Sequence, residues 1–228
     1  SLKSDANEQI QNIVYDSFLG QPTQLQLTDG RTINHYYDGS GKLLKTVYST
    51  GEIWEYADGF IYKNGVLYQV QDDEGRILYQ NGVFNYEFHY TDHLGNTRLS
   101  FRNNNGQLEK VAETAFDPWG VILKDLGQQN ATQNRWEFQG KEKETTFGLN
   151  RINLGARTVN PTTGIMDRID PLADDPRQLR HSPYAAFWSN PVMYTDPDGR
   201  CPKCEELVKS PTDGQIFKTT GATYTYGG

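Results

Sequence analysis

Four short turn signals decide most of what this chain can fold into. Asp29-Gly30, Asp58-Gly59, Asn64-Gly65 and Asn81-Gly82 each join a residue that tolerates left-handed backbone to a glycine, which is what a tight hairpin turn demands. Between and after them lie short segments rich in Tyr, Val, Ile and Leu, at 42–48, 52–56, 66–71, 76–79 and 83–90. Several alternate apolar and polar residues with period two, the pattern of half-buried strands. Residues 20 to about 123 therefore read as a β-meander.

A recurrent corner is laid over the strands: an aromatic residue at or shortly before an Asp, then a glycine three residues past it. It occurs at Tyr37-Asp38-Gly39-Ser40-Gly41, Asp72-Asp73-Glu74-Gly75, Tyr90-Thr91-Asp92-His93-Leu94-Gly95 and Phe116-Asp117-Pro118-Trp119-Gly120. The carboxylate caps its own turn, the glycine takes the strained backbone position, and the aromatic covers the neighbouring strand pair. The copies are unevenly spaced, so the repeat is degenerate and not a strict solenoid.

Composition narrows the function. The 228 residues include 14 Tyr, 10 Phe, 4 Trp and 22 Gly, and carry a net charge of -7. With acid in excess and no basic patch, binding to a nucleic-acid backbone is not expected. The longest apolar runs, 59–62 and 120–123, fall far short of the roughly 20 residues that cross a bilayer, so membrane insertion is not expected either. The chain opens without an initiating Met or a charged-then-apolar leader, which reads as a fragment or a processed product. Cys201 and Cys204 offer half the ligands of a zinc ribbon, so a local disulfide staple is expected in place of a metal site. Nothing calls for a cofactor.

Past Leu123 the composition changes. Residues 125–134 are polar and read as a loop. Residues 135–200 hold most of the 10 prolines and read as compact coil with short strands and one short helix, opened by Ser182 as N-cap with Pro183 in the first turn and stopped at Asn190-Pro191. From Cys201 a small tail follows, with a hairpin arm at 219–226. The expected division is 1–123 for the strands, 124–200 for the Pro-rich part and 201–228 for the start of a variable segment.

The motifs of the second half come in a telling order. Tyr90-Thr91-Asp92-His93-Leu94-Gly95-Asn96-Thr97-Arg98, Phe116-Asp117-Pro118-Trp119-Gly120 and Phe138-Gln139-Gly140-Lys141-Glu142 are followed by Gly148-Leu149-Asn150, Gly155-Ala156-Arg157 and Ile169-Asp170-Pro171-Leu172-Ala173. His181-Ser182-Pro183-Tyr184 and Asn190-Pro191-Val192-Met193-Tyr194-Thr195-Asp196-Pro197-Asp198-Gly199 close the series. Over residues 90 to 200 the chain closely resembles the Rhs-repeat-associated core, the C-terminal part of Rhs/YD-repeat proteins. Residues 15–79 are similar to the weaker YD repeats that precede that core. The wording is most similar to large secreted polymorphic-toxin proteins of the Bacteroidetes.

That resemblance implies an all-β fold, in which a YD-repeat meander forms part of a curved shell and the coil-rich core plugs it. It implies a secreted or cell-surface protein that encloses or presents a C-terminal effector. The implied partners are the upstream YD repeats of the same protein, that effector, and a secretion-system or immunity protein. Several members cut themselves with an aspartic-type protease built by the core. Carried over residue by residue, the family's Arg falls on Arg157 and its Asp on Asp170. The cut-site consensus falls on Pro191, Asp196, Pro197 and Gly199, with Arg200 where Leu is usual.

Carboxylate chemistry on an amide needs one ionised and one protonated group, which burial and like-charge proximity arrange by splitting their pKa values. Arg157 suits Asp170 as a counter-ion or a developing oxyanion as a donor. The second carboxylate is left open among Asp167, Asp174 and Asp198. Val159-Asn160-Pro161 stands where the family has Tyr-Asp-Pro, and Gly164-Ile165-Met166 where it has Gly-Arg-Phe or Gly-Arg-Trp. With Arg200, these departures point to weakened or lost cleavage. A competing reading is a cell-surface adhesin or glycan reader, with Tyr36, Tyr37, Tyr48, Trp54, Tyr56, Tyr62 and Tyr68 lining a sugar face, although such a stripe ordinarily serves cross-strand packing. His89 and His93, in strand and turn, read as structural. Asn130-Ala131-Thr132 matches a glycosylation acceptor.

Overall fold

The computed structural model describes residues 4–124, 126, 134–202, 207–209, 216–220 and 223–224. Eleven antiparallel strands make one sheet in which each strand pairs with the next. They are β1 (Ile10–Tyr15), β2 (Pro22–Leu27), β3 (Thr32–Tyr37), β4 (Leu43–Tyr48), β5 (Ile53–Ala57), β6 (Phe60–Lys63), β7 (Val66–Asp72), β8 (Gly75–Gln80), β9 (Val83–Thr91), β10 (Thr97–Asn104) and β11 (Gln107–Glu113). Asp58-Gly59, Asn64-Gly65 and Asn81-Gly82 have both residues at positive φ, as does Asn105-Gly106. This geometry matches the right-handed twist of the flanking strands. At Asp29-Gly30 only the glycine is left-handed, in a longer turn closed by the Gly30 N–H on the Leu27 carbonyl at 3.0 Å.

The Asp corner forms at three of its four expected sites. Asp38 Oδ1 accepts the N–H groups of Ser40 and Lys42 at 2.8 and 3.0 Å. Asp92 does the same for Leu94 and Asn96, both at 3.0 Å, and Asp117 for Trp119 and Val121 at 2.9 and 2.8 Å. Asp72–Gly75 departs from the pattern: Asp72 pairs directly with Gly75 as the last rung of the β7–β8 ladder. There the glycine answers a close approach, because a Cβ would lie 2.0 Å from the Glu87 carbonyl oxygen on the next strand.

Alternation splits the sheet into two faces. One carries Ile13, Leu25, Ile33, Tyr48, Trp54 and Ile61, all buried, packed against Leu149, Trp136 and Phe147 of the second half. Burial of each such side chain stabilises the fold by about 1.5–3 kcal/mol. The second half builds its own four-stranded sheet from β12 (Glu142–Glu144), β13 (Arg151–Asn153), β14 (Thr158–Asn160) and β15 (Ile165–Met166) around Phe116, Phe138, Ile152, Val159 and Phe187. Polar ties fasten the two parts. Tyr48 donates to Glu144, and Tyr56 to Glu142 at 3.0 Å. Arg135 sits 3.3 Å from Glu142 and 2.9 Å from Glu144, and Arg151 lies 3.1 Å from Asp5 and 2.6 Å from Glu8. The Pro-rich half is therefore folded onto the sheet as a plug.

The aromatic stripe divides accordingly. Trp54 meets Tyr68 and Trp136 at ring-centroid distances of 5.0 and 6.2 Å, with the Arg135 guanidinium 4.9 Å above it. With Tyr48 and Tyr56 these rings seat the plug and do not form an open sugar-binding face. The expected helix at 182–188 is replaced by a turn, in which the Ser182 carbonyl accepts the Ala185 N–H at 2.9 Å, followed by a single 3-10 turn at Phe187–Ser189. That turn is left-handed, with φ of 49°, 49° and 59°. It buries Phe187 completely and stacks Trp188 on His181 at 4.9 Å, contacts that offset a conformational cost of roughly 1–2 kcal/mol per residue. In the tail, β16 (Leu207–Lys209), β17 (Ile216–Thr220) and β18 (Thr223–Tyr224) make a small sheet. The Asn130-Ala131-Thr132 triplet lies outside the described residues. Among the described residues no helix is long and apolar enough to cross a membrane.

A buried charge cluster stitches β8, β9 and β10 together. Glu87, fully buried, takes Arg76 at 3.0 Å, Arg102 at 3.1 Å and His89 at 3.2 Å. Burial alone would raise the carboxyl, but the His89 hydrogen bond and the charges of Arg76, His89 and Arg102 outweigh it and hold Glu87 at about 2. The unfolded chain binds this proton more readily, so the contribution is complete above about pH 4.5 and is lost as the pH falls toward 2. Between pH 5 and 2 the wild-type chain is expected to lose about 3 kcal/mol more stability than Glu87→Gln. Urea-unfolding midpoints at stepped pH measure the difference.

Candidate functional site

Arg157 ends the loop that joins β13 to β14 and points into the middle of the plug, with its side chain 1% exposed. Nη2 lies 2.7 Å from Asp170 Oδ2 and 3.5 Å from Asp196 Oδ2. Nε donates to the Gly199 carbonyl at 2.5 Å, Nη1 to the Pro183 carbonyl at 3.2 Å, and Nη2 also to the Arg200 carbonyl at 3.4 Å. One guanidinium thus gathers both Asp-Pro motifs and the backbone of the cut consensus. The planar fork of an arginine suits such a multiple grip, which an ammonium does not reproduce.

Each carboxylate is held from its other side as well. Asp170 Oδ1 accepts the Leu172 N–H at 2.8 Å. Asp196 Oδ1 accepts the N–H groups of Gly199 and Arg200 at 2.9 and 3.0 Å. This is a variant of the Asp-to-Gly corner of the strands, with the spacing and the Pro of Asp117-Pro118-Trp119-Gly120 but with the Gly itself and the next residue capped and the second oxygen turned onto Arg157. Burial raises both carboxyls above the ordinary Asp value; for Asp170 the Leu172 N–H and Arg157 pull the other way, and for Asp196 chiefly Arg157 does. Gly199 has φ +76°, and a Cβ there would lie 2.8 Å from the Arg157 backbone nitrogen, so no other residue fits without moving the loop.

The carboxylate that shares Arg157 with Asp170 is Asp196, and none of the three left open in the sequence does so. Asp167 is buried but spends Oδ1 on the Thr158 N–H at 3.0 Å and lines a small cavity beside His35 and Tyr37. Asp174 is exposed, and Asp198 is largely exposed, with the Arg200 side chain 4.0 Å away. Pro191 is buried at the turn that precedes Asp196, while Pro197 is exposed and offers its carbonyl to Lys141. Asn160, where the family has Asp, accepts the Thr162 N–H at 2.9 Å and shapes the β14–β15 turn, apart from the Arg157 cluster. His89 pairs with Glu87, and His93 meets the Val192 carbonyl at 3.1 Å. Cys201 is disulfide-bonded, and Cys204 lies outside the described residues.

Sequence reasoning passed over Gln178. It is 6% exposed, and its Nε2 donates to the carbonyls of Arg200 and Leu172, both at 3.1 Å. Its Oε1 accepts the Trp188 Nε1–H at 3.3 Å, and Trp188 is fixed in turn by His181 and Tyr194. Within a polar stretch nothing marks this glutamine; its partners are 6, 10 and 22 residues away. The Arg200 carbonyl therefore faces two side-chain donors, Arg157 Nη2 and Gln178 Nε2, which is how a carbonyl oxygen that gathers negative charge is stabilised.

No protein-family model matches the chain. It is 29% identical over 173 residues to the tRNA3(Ser)-specific nuclease WapA of Bacillus spizizenii, a match that covers 75% of this chain and 7% of that protein. The fold is similar to a chain of the Photorhabdus luminescens Tc holotoxin pore carrying a TccC3 mutation, with TM-score 0.67 and 17% identity over 86% of this chain and 10% of that one. It is also similar to a chain of TcdB2-TccC3 without its hypervariable C-terminal region, with TM-score 0.63 and 19% identity over 82% and 10% of the two chains. The chain thus spans less than a tenth of the curated relative. A hairpin wall with a plug folded on one face defines the class as a YD-repeat shell. The wall, the plug and the core motifs in their order around Arg157 are similar to those of Rhs/YD-repeat proteins.

Proposed function

We propose that this chain is the shell-and-plug portion of a secreted Rhs/YD-repeat toxin, which encloses or presents a C-terminal effector and cuts itself free of it at the plug. The observation that carries the reading is the convergence of Arg157, Asp170 and Asp196 on the backbone of residues 199–200. The relatives support a carrier. One is named a tRNA nuclease and another belongs to a toxin pore, so proteins of different description carry a stretch similar to this chain.

The cut is assigned to the Arg200–Cys201 bond. Water adds its oxygen to the Arg200 carbonyl carbon, the C–N bond to Cys201 breaks, and the released amine takes up a proton. Arg157 and Gln178 hold the oxygen that gains charge. Asp170 serves as base, and Asp196, raised by burial, retains a proton more readily than an ordinary Asp. Of the positions that depart from the family, Asn160 shapes the β14–β15 turn and Ile165 lies in β15, while Arg200 stands in the cluster itself and engages it through its backbone.

Enclosure is tested in the full-length protein with a protease-sensitive reporter in place of the effector. The reporter is expected to resist trypsin until denaturant opens the shell; digestion at the rate of free reporter would refute it. For the cut itself, Gln178→Ala is expected to slow product formation about 10²-fold, the usual loss when one donor to a developing oxyanion is removed. A time course by gel densitometry measures it.

A further inference from the structure

The plug covers one face of the eleven-stranded sheet, and the other face is unusually apolar over β6–β10. Cross-strand partners share a face: Phe60 lies opposite Val70, Val70 opposite Ile77, Ile77 opposite Tyr86, Tyr79 opposite Phe84, and Phe88 opposite Phe101. Phe60, Phe84, Tyr86, Phe88 and Tyr90, with Leu108 at the edge, are between 41% and 67% exposed. Within these five strands the only charged side chain on this face is Asp72, at a turn. A contiguous patch of this kind marks a contact surface.

We infer that this face is a homodimer interface and that its occupant is a second copy of the same chain. Six side chains of about 200 Å² each, roughly half exposed, present on the order of 700 Å², close to the ~800 Å² per partner of a stable interface. The rim is self-complementary. Lys45 and Glu55 face each other across β4 and β5 at 3.2 Å, and Lys110 pairs with Glu113 on β11 at 2.6 Å. β5 and β11 stand three strands to either side of β8. A two-fold axis in the contact plane near Ile77 exchanges the two pairs, setting Lys45 and Glu55 of one copy against Glu113 and Lys110 of the other. One patch meeting itself, apolar at the centre and charged at the rim, is what an isologous contact requires.

Sedimentation equilibrium of the 228-residue chain from 1 to 100 µM tests this. The expected mass at the upper end is twice the 25.9 kDa of the chain. Tyr86→Lys, at a solvent-facing strand position, should return the single-chain mass with an unchanged circular dichroism spectrum. Lys110→Glu should weaken the dimer at least tenfold, and adding Glu55→Lys should restore it, a rescue that loss of the local ion pair cannot mimic. A wild-type chain monomeric at 100 µM, a Tyr86→Lys chain that still dimerises, or a double variant no better than Lys110→Glu would each overturn the inference.

Discussion

Replacing Arg157 with alanine is expected to cost about 3–5 kcal/mol of stability, the usual penalty for removing one partner of a buried ion pair. The loss leaves Asp170 and Asp196 buried without their shared counter-ion and strips donors from the carbonyls of Pro183, Gly199 and Arg200. Arg157→Lys should recover little, because an ammonium cannot span that fan of acceptors. The penalty should also shrink as the pH is lowered. Both carboxyls are already raised by burial, and without the cation they rise further, so the folded variant takes up protons more readily than the unfolded chain and gains stability as pH falls. Thermal unfolding at pH 7 and pH 5 checks the magnitude and the sign, and adding Asp170→Asn to Arg157→Ala at pH 7 should recover part of the loss.

The second large effect falls on cleavage. With Asp170→Asn, hydrolysis of the Arg200–Cys201 bond should slow by about 10⁴-fold, the upper end of what a positioned base contributes. The amide keeps the shape and accepts the Leu172 N–H, so the plug should survive with a modest loss of stability. Asp196→Asn separates the two roles: it retains the corner to Gly199 and Arg200 while removing the group assigned the proton. A folded Asp170→Asn chain that cuts at the wild-type rate would remove Asp170 from the reaction.

What the sequence disclosed follows from the range of each interaction. Asn64-Gly65 and Asn81-Gly82 dictate their turns through their own backbone, so the hairpins were legible, and so was the corner at Asp38, where donors and acceptor lie within four residues. The corner expected at Asp72 was not a corner, because Gly75 answers to Glu87 on the neighbouring strand. The helix read from Ser182-Pro183 gave way for a related reason, since burial of Phe187 in the plug core outweighs the local capping preference. Arg157 and Asp170 were visible through the family motifs. Asp196 was visible only as part of a cut site, because its oxygen reaches Arg157 across 39 residues. Gln178 carries no local signature at all. The split of the tyrosines between a plug-facing and an open face likewise needed the register of eleven strands.

Intact-mass spectrometry of the folded chain, carried past residue 228 by its natural downstream segment, bears most directly on whether the plug is a self-cutting site. Two pieces are expected, the first ending at Arg200, and a single uncut mass for Asp170→Asn. A wild-type protein that is folded by circular dichroism yet keeps its full mass after days at neutral pH would contradict it.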